Sequence, residues 1–281
     1  MAQHSQIQIA CHLGGLSATS VEEAIGTAAR LGFRAVDLPF SLLNVRRVIA
    51  NPSQEAAAIR ALLTEFNLAL TDFDLPLMEY NAPDPTVREA ALAQFEALIP
   101  FMQAIRTPGV TLSPGGLQVD GAQHSMARSA AGLVQLTHNA QALLNAGIRI
   151  TICPAVDTAA GSIADVLKLL DCAPDLRLTL DIGYAVYLGL SRTEIAGLFN
   201  RVDYIRIHQA TKNRLQTGAN NGAIDLSDLW QDLTEANYTN AISVAYLVPP
   251  GEHGVTRLDP IAETVATRDG LRNARASFVR N

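Results

Sequence analysis

The strongest constraint on what this chain can fold into is an alternation that runs its whole length. Short runs rich in β-branched and aliphatic residues recur eight times, each followed by a longer stretch of Ala, Leu and Glu at helical spacing. The strand candidates are Gln6–His12, Arg34–Leu38, Ala69–Phe73, Gly109–Ser113, Arg149–Cys153, Arg177–Asp181, Tyr204–His208 and Ala241–Tyr246. Between them, Ser20–Leu31 opens on SVEEA, with a capping hydroxyl and acid in its first turn. Thr86–Ala104 and Ser125–Ala146 are the longest helical patterns, and Asp225–Ala236 sets Leu226, Leu229 and Leu233 on one face behind Asp225 as cap. Gly32, Asn67 and Gly147 stand just before strands, where a helix C-terminus needs a left-handed residue. Strand–helix alternation implies a parallel α/β sheet, and eight rounds predict a closed (β/α)8 TIM barrel, one domain over residues 1–281. The alternative, an open doubly wound sheet, would want a glycine-rich phosphate loop after the first strand, and none is there.

Composition narrows the partners. A formal charge of −6 and a pI near 5.5 argue against a nucleic-acid surface, which needs a basic patch. No apolar run approaches the length of a membrane span. The opening MAQHSQIQIACHLGG lacks the charged and then apolar regions of a signal peptide, and Cys11, Cys153 and Cys172 form no CxxC pair or disulfide framework. A reducing cytoplasm is the expected compartment. A homodimer is the default among oligomers.

Side-chain parity then sorts the strand residues. Ile150, Ile152, Leu178, Leu180, Ile205, Ile207, Ile242 and Val244 share the aliphatic faces, which should meet the helices. The opposite faces should line the barrel, with Arg149 and Arg177 deep at the N-terminal end. His12, Asp37, Ser113, Cys153, Asp181 and His208 should ring the C-terminal mouth, where barrel active sites lie.

Asp181 and His208 are the leading catalytic pair. A carboxylate and an imidazole ending adjacent strands can share a metal, or act as base and orienter. The plainer alternative is that Asp181 caps the DIGY loop and His208 is a satisfied interior histidine. Cys153 could join them as a third ligand in a zinc site, or be a small buried thiol. Arg214, six residues beyond His208, could clamp a ligand oxygen or stand in solvent. His12, before Gly14-Gly15, could bind substrate or plug the mouth. Asp72 and Asp74, read as following the third strand, could contact hydroxyls or cap a loop. Ser113-Pro114-Gly115-Gly116 could offer backbone N–H groups to an anion. The PPGEHG segment after the eighth strand could cover the site, and His124, His138 and His253 receive no role.

The phrases LGFRAVDL, GIRITICPA, LTLDIGYAVYLG, VDYIRIHQATKNR, GAIDLSDLWQDLTEANY and ISVAYL, in that order and spacing, resemble the xylose-isomerase-like TIM barrels. They resemble in particular the sugar phosphate isomerase/epimerase group, with inosose dehydratases, hydroxypyruvate isomerases and ketose 3-epimerases as relatives. The resemblance implies a divalent metal held by Glu, Asp, His and Glu from strands five to eight, the two Glu also moving protons. Carried onto this chain, Asp falls on Asp181 and His on His208, but the two Glu fall on Cys153 and Ala245. A substrate-binding His falls on Tyr184, a substrate-binding Arg on Arg214, and a frequent acid on Thr211. The expectation is therefore an isomerase/epimerase-like protein with a degraded metal site, acting on a small polyhydroxy or keto compound at the C-terminal mouth. Asp181 and His208 would be catalytic, and Arg214, His12, Tyr184, Asp37 and Asp74 would bind substrate. Zn, Mn or Fe on Asp181, His208 and Cys153 is one cofactor expectation, and no cofactor is the other. The alternative is a metal-free barrel that has lost isomerase chemistry and binds a small ligand or a protein partner.

Overall fold

The computed structural model describes residues 7–279. Eight parallel strands pair in chain order and close on themselves through β8 and β1. They are β1 (Ile9–His12), β2 (Ala35–Pro39), β3 (Ala69–Leu75), β4 (Gly109–Leu112), β5 (Arg149–Ile152), β6 (Arg177–Asp181), β7 (Val202–Ile207) and β8 (Ile242–Val244). The helices are α1 (Val21–Arg30), α2 (Val45–Ala50), α3 (Pro52–Glu65), α4 (Pro85–Ile105), α5 (Ala122–Asn139), α6 (Gln141–Asn145), α7 (Ile163–Cys172), α8 (Ile182–Tyr187), α9 (Arg192–Ala196), α10 (Leu226–Glu235) and α11 (Pro260–Val279). The predicted (β/α)8 barrel is what the chain forms.

The predicted bounds shift in instructive ways. The first strand begins at Ile9, and Gln6 lies outside the described residues. The third runs on to Leu75, so Asp72 and Asp74 belong to the strand and not to a loop behind it. Cys153 and Ala245 stand one residue beyond their strands, but their amides still donate to Leu112 and Ile207 oxygens at 2.9 Å, so they keep the barrel register. The predicted helix Ser125–Ala146 is two, broken at Ala140, where ψ is near zero. The N-terminal signals hold: Ser20 Oγ accepts from Glu23 N, and Asp225 Oδ1 accepts from Ser227 N and Asp228 N. Asn67, with φ of 51°, supplies a left-handed residue before β3.

The aliphatic strand faces pack outward under the helices in one core, as parity predicts. Inside the barrel, Thr111, Thr151 and Thr179 form a closed ring of hydroxyls, 2.6–3.1 Å apart. Near the N-terminal end, Arg149 donates to the Asp203 carbonyl at 2.7 Å, and Arg177 pairs with the Asp203 carboxylate at 3.4 Å. Two register shifts break strict parity. Val36 and Asp37 face Leu70 and Asp72, so an extra residue enters β3, and both Thr71 and Asp72 reach the interior. The second lies where Leu178 and Thr179 face Val202 and Tyr204.

Candidate active site

The mouth of the barrel divides into two sets of side chains. The first comes from β1, β2, β3 and β7. Arg206 projects inward from β7 and donates to Asp74 Oδ1 at 2.6 Å, with Asp72 Oδ2 at 3.9 Å. Burial works against the charge on Arg206, but Asp74, with Cys153, Asp37 and Asp72 behind it, raises its pKa well above the usual range. Burial would likewise raise the Asp74 carboxyl. The Arg206 guanidinium and the His12 hydrogen bond overcome that and hold it well below the usual carboxylate range. Asp72 is the reverse case: burial and the nearby Asp37 push it up to about 7 against the pull of Arg206.

His12 belongs to the same set. Its Nδ1 lies 3.2 Å from the Gly14 amide, an obligate donor, so Nδ1 accepts and Nε2 carries the proton toward Asp74 Oδ2 at 3.1 Å. Both ring nitrogens are engaged within the protein. Deeper down, Asp37 accepts from the Tyr204 hydroxyl and from Thr71 Oγ1, and is fully buried. His12 thus lies at the predicted mouth with both nitrogens engaged by the protein, whereas Asp37 lies deeper, its Oδ1 in the protein's own network and its Oδ2 buried without a partner.

The second set comes from β5, β6 and the loop after β7. Asp181 caps the short helix α8: its Oδ1 accepts from Tyr184 N at 3.0 Å. His208 follows β7, and its Nε2 lies 2.8 Å from the Leu215 carbonyl, an obligate acceptor, so Nε2 is the protonated nitrogen. Nδ1 of His208 lies 3.4 Å from Asp181 Oδ1 without hydrogen-bond geometry, and it is a buried atom with no partner. The His208 side chain is 3% exposed and Asp181 16%, so solvent reaches the pair from the carboxylate side. Gly183 makes the packing possible: a Cβ there would overlap the imidazole. The structure brings together Asp181 and His208 as the sequence predicts, and Asp181 also takes the capping role offered as its alternative.

Other candidates fall elsewhere. Arg214 is exposed, and its backbone bridges to Thr211. Tyr184 turns its hydroxyl to the Gly161 carbonyl at 2.6 Å and packs with Leu215 and Val255 in an apolar cluster apart from the main core. Val156, Tyr187, Leu188, Val248 and Leu258 surround that cluster, so the loops after β5 to β8 cover this side of the mouth. The N–H groups offered to an anion are spent: Gly115 N donates to Ser113 Oγ, Gly116 N to the Met78 carbonyl and Leu117 N to the Asp157 carbonyl. Sequence reasoning assigned no role to Arg206, although the parity that pointed His208 inward points Arg206 inward too.

The donor set tests directly the divalent metal that the resemblance implies. Asp181 Oδ1 and the unpartnered Nδ1 of His208 could both meet a cation. Cys153 adds little: burial pushes its thiol up to about 12, against the lowering effect of Arg206, and Sγ donates to the Pro154 carbonyl at 3.6 Å. Ala245 offers a methyl group. Among the described residues, no group of three or more His, Cys, Asp or Glu side chains is placed to hold a metal ion. Two ligands are too few for the oxygen-rich shell that Mg²⁺ or Mn²⁺ requires, so the residues present do not fit a tightly held divalent ion.

Comparison with known proteins fits this fold. No curated protein matches the chain. Among solved structures, D-psicose 3-epimerase in the presence of D-fructose superimposes with a TM-score of 0.72 at 16% identity, covering 98% of each chain. L-ribulose 3-epimerase gives 0.73, also at 16% identity and 98% of each chain. A putative xylose isomerase from Rhodospirillum rubrum gives 0.75 at 16% identity, over 95% of this chain and 99% of that one. At such identities the likeness establishes the fold. The model of the xylose isomerase-like TIM barrel family matches residues 25–273, and the chain belongs to that family.

Proposed function

We propose that the protein acts on a small polyhydroxy or keto compound bound at the C-terminal mouth, moving a proton at a carbon beside a carbonyl without the family's two-Glu metal site. The observation that carries this reading is the state of His208. Its Nε2–H is fixed on the Leu215 carbonyl, which leaves the Nδ1 lone pair unpartnered beside Asp181. A base needs a free lone pair at a defined position, and this one is held by a backbone hydrogen bond. His208 Nδ1 takes the substrate proton. Asp181, the more exposed partner, accepts a substrate hydroxyl and stabilises the imidazolium that forms. The epimerase likeness supports a carbohydrate-like substrate.

The test is solvent hydrogen exchange. Ketoses and keto-inositols are incubated with the protein in ²H₂O and followed by NMR. The expected result is deuterium at the carbon next to the carbonyl, unchanged by chelator and lost in His208→Ala. Exchange that requires added divalent ion would overturn the metal-independent mechanism. A second reading, a barrel that binds ligand without turning it over, is favoured by the thiol and the methyl at the two Glu positions. Binding of a ketose with no exchange would establish it. We place the protein in the cytoplasm, in keeping with its three free cysteines, and expect a homodimer, to be checked by sedimentation.

A further inference from the structure

The N-terminal end of the barrel, opposite the candidate active site, gathers positive charge in a chain whose formal balance is −6. A cavity of about 320 Å³ opens there where β1 and β2 begin and the C-terminal half of α11 passes, lined by Ile7, Gln8 and Ala35 with Arg34, Arg272 and Arg275. Each of the three guanidiniums is held by a main-chain carbonyl: Arg34 by Phe33 at 3.1 Å, Arg272 by Gly32 at 2.7 Å and Arg275 by Ile7 at 3.2 Å. Arg268 lies beside them, but its charge is matched by Asp269 at 2.7 Å, and that carboxylate stands 3.9 Å from Arg272. Among the described residues, no other carboxylate lies within 4.0 Å of Arg34, Arg272 or Arg275. The arginines feel one another. Burial lowers the Arg272 pKa, and the charges of Arg268, Arg275 and Arg34 lower it further, against the pull of Asp269.

We propose that this cavity binds a phosphoryl group, as inorganic phosphate or as the head of a phosphate monoester, between Arg34, Arg272 and Arg275. The plain role of these arginines is to close chain ends. Arg268 and Arg272 cap the C-terminus of α1 at the Leu31 and Gly32 carbonyls, and Arg275 also lies over the Trp230 ring. That role uses one carbonyl apiece, whereas a guanidinium has five N–H donors in a fixed fork. It accounts neither for three like charges at one cavity nor for Arg34, which bonds only its neighbour's oxygen. The carbonyls fix the forks before a ligand arrives, so less side-chain freedom is lost on binding. A phosphoryl group carries about −1.5 to −2 at neutral pH, enough to offset up to two of the three unmatched charges. Its three peripheral oxygens can each meet a different fork, which the two oxygens of a carboxylate cannot do. The site is separate from Asp181 and His208 and stands independently of their chemistry.

Calorimetric titration of the full chain with inorganic phosphate and with glycerol phosphate, at low ionic strength, tests this. Both should bind, and both should raise the urea midpoint, as a ligand of the folded state does. Arg34→Gln breaks no ion pair and should weaken phosphate binding about tenfold with circular dichroism unchanged. Arg46→Gln, at an exposed arginine of α2, should leave binding as it is. Absence of binding overturns the proposal, as does binding that survives Arg34→Gln. An equal loss in Arg46→Gln, or a midpoint shift that chloride reproduces at the same ionic strength, overturns it too, because diffuse screening of surface charge would then explain the effect. Binding of either phosphate that depends on Arg34 supports it, and the tighter of the two names the source of the phosphoryl group.

Discussion

The two sides of the barrel mouth use similar side chains to opposite ends. On the side of β1 to β3, His12 and Asp74 are closed by protein groups: the imidazole has a partner on each nitrogen, and the carboxylate has a guanidinium and a histidine, while Nε of Arg206 stays unpartnered. On the side of β6 and β7, Asp181 and His208 are anchored only from behind, by Tyr184 N and the Leu215 carbonyl, and face each other with a lone pair unspent. Each side contains an Asp and a His. The first pair is closed by protein groups. The second is open on one edge, and an open edge is what a reaction or a ligand can use.

Four measurements probe this contrast. Arg206→Met should be the most damaging, since it strands Asp74 and Asp72 in a buried layer. Loss of a buried ion-pair partner costs about 3–5 kcal/mol, read from urea unfolding. His208→Ala should cost less, about 1–3 kcal/mol, because the Leu215 carbonyl loses its donor and the ring its packing but no buried ion pair is broken, while proton exchange is abolished. Equal stability losses in the two variants would erase the distinction. The pH dependence of stability is the third. Asp72 is raised to about 7 in the folded protein, so the folded state holds a proton that the unfolded state releases near pH 4. Its contribution is full below the unfolded value and is lost as pH rises through about 7. Asp74 runs the other way, contributing above the unfolded value and losing that contribution as the solution is acidified. Asp72→Asn should therefore flatten the decline in urea midpoint between pH 5 and pH 8, and an unchanged slope would remove Asp72 from the account. Smallest is Tyr184→Phe, which loses the bond to the Gly161 carbonyl, at about 1 kcal/mol.

The barrel itself was legible because period-two and helical patterns alternate cleanly, and eight repeats leave few alternatives. Inward orientation was legible too from β5 to the end of β7, where Thr151, Thr179, Arg206 and His208 turn inward as expected despite the register shift between β6 and β7. It failed in β3, because an extra residue opposite Val36 and Asp37 sends both Thr71 and Asp72 inside. No property of the residues TDFD announces that shift, since it is set by the neighbouring strand. The site was half legible. Asp181 and His208 could be found from strand ends alone. That Arg214 would face solvent, or that Tyr184 would turn to the Gly161 carbonyl, depends on how the loops after β5 to β8 interlock, and loop paths carry no periodicity to read.

The carbonyl that grips His208 belongs to Leu215, whose own amide is tied to the His253 carbonyl across the mouth at 3.1 Å. A tautomer chosen by a main-chain oxygen does not depend on which side chain occupies position 215. Point substitution there can alter packing while the proton stays on Nε2. An inserted or deleted residue between Gln209 and Leu215 would move the carbonyl along the loop and release the ring. In this protein the length of one loop, more than its composition, decides which imidazole nitrogen carries a hydrogen bond and which is left without one.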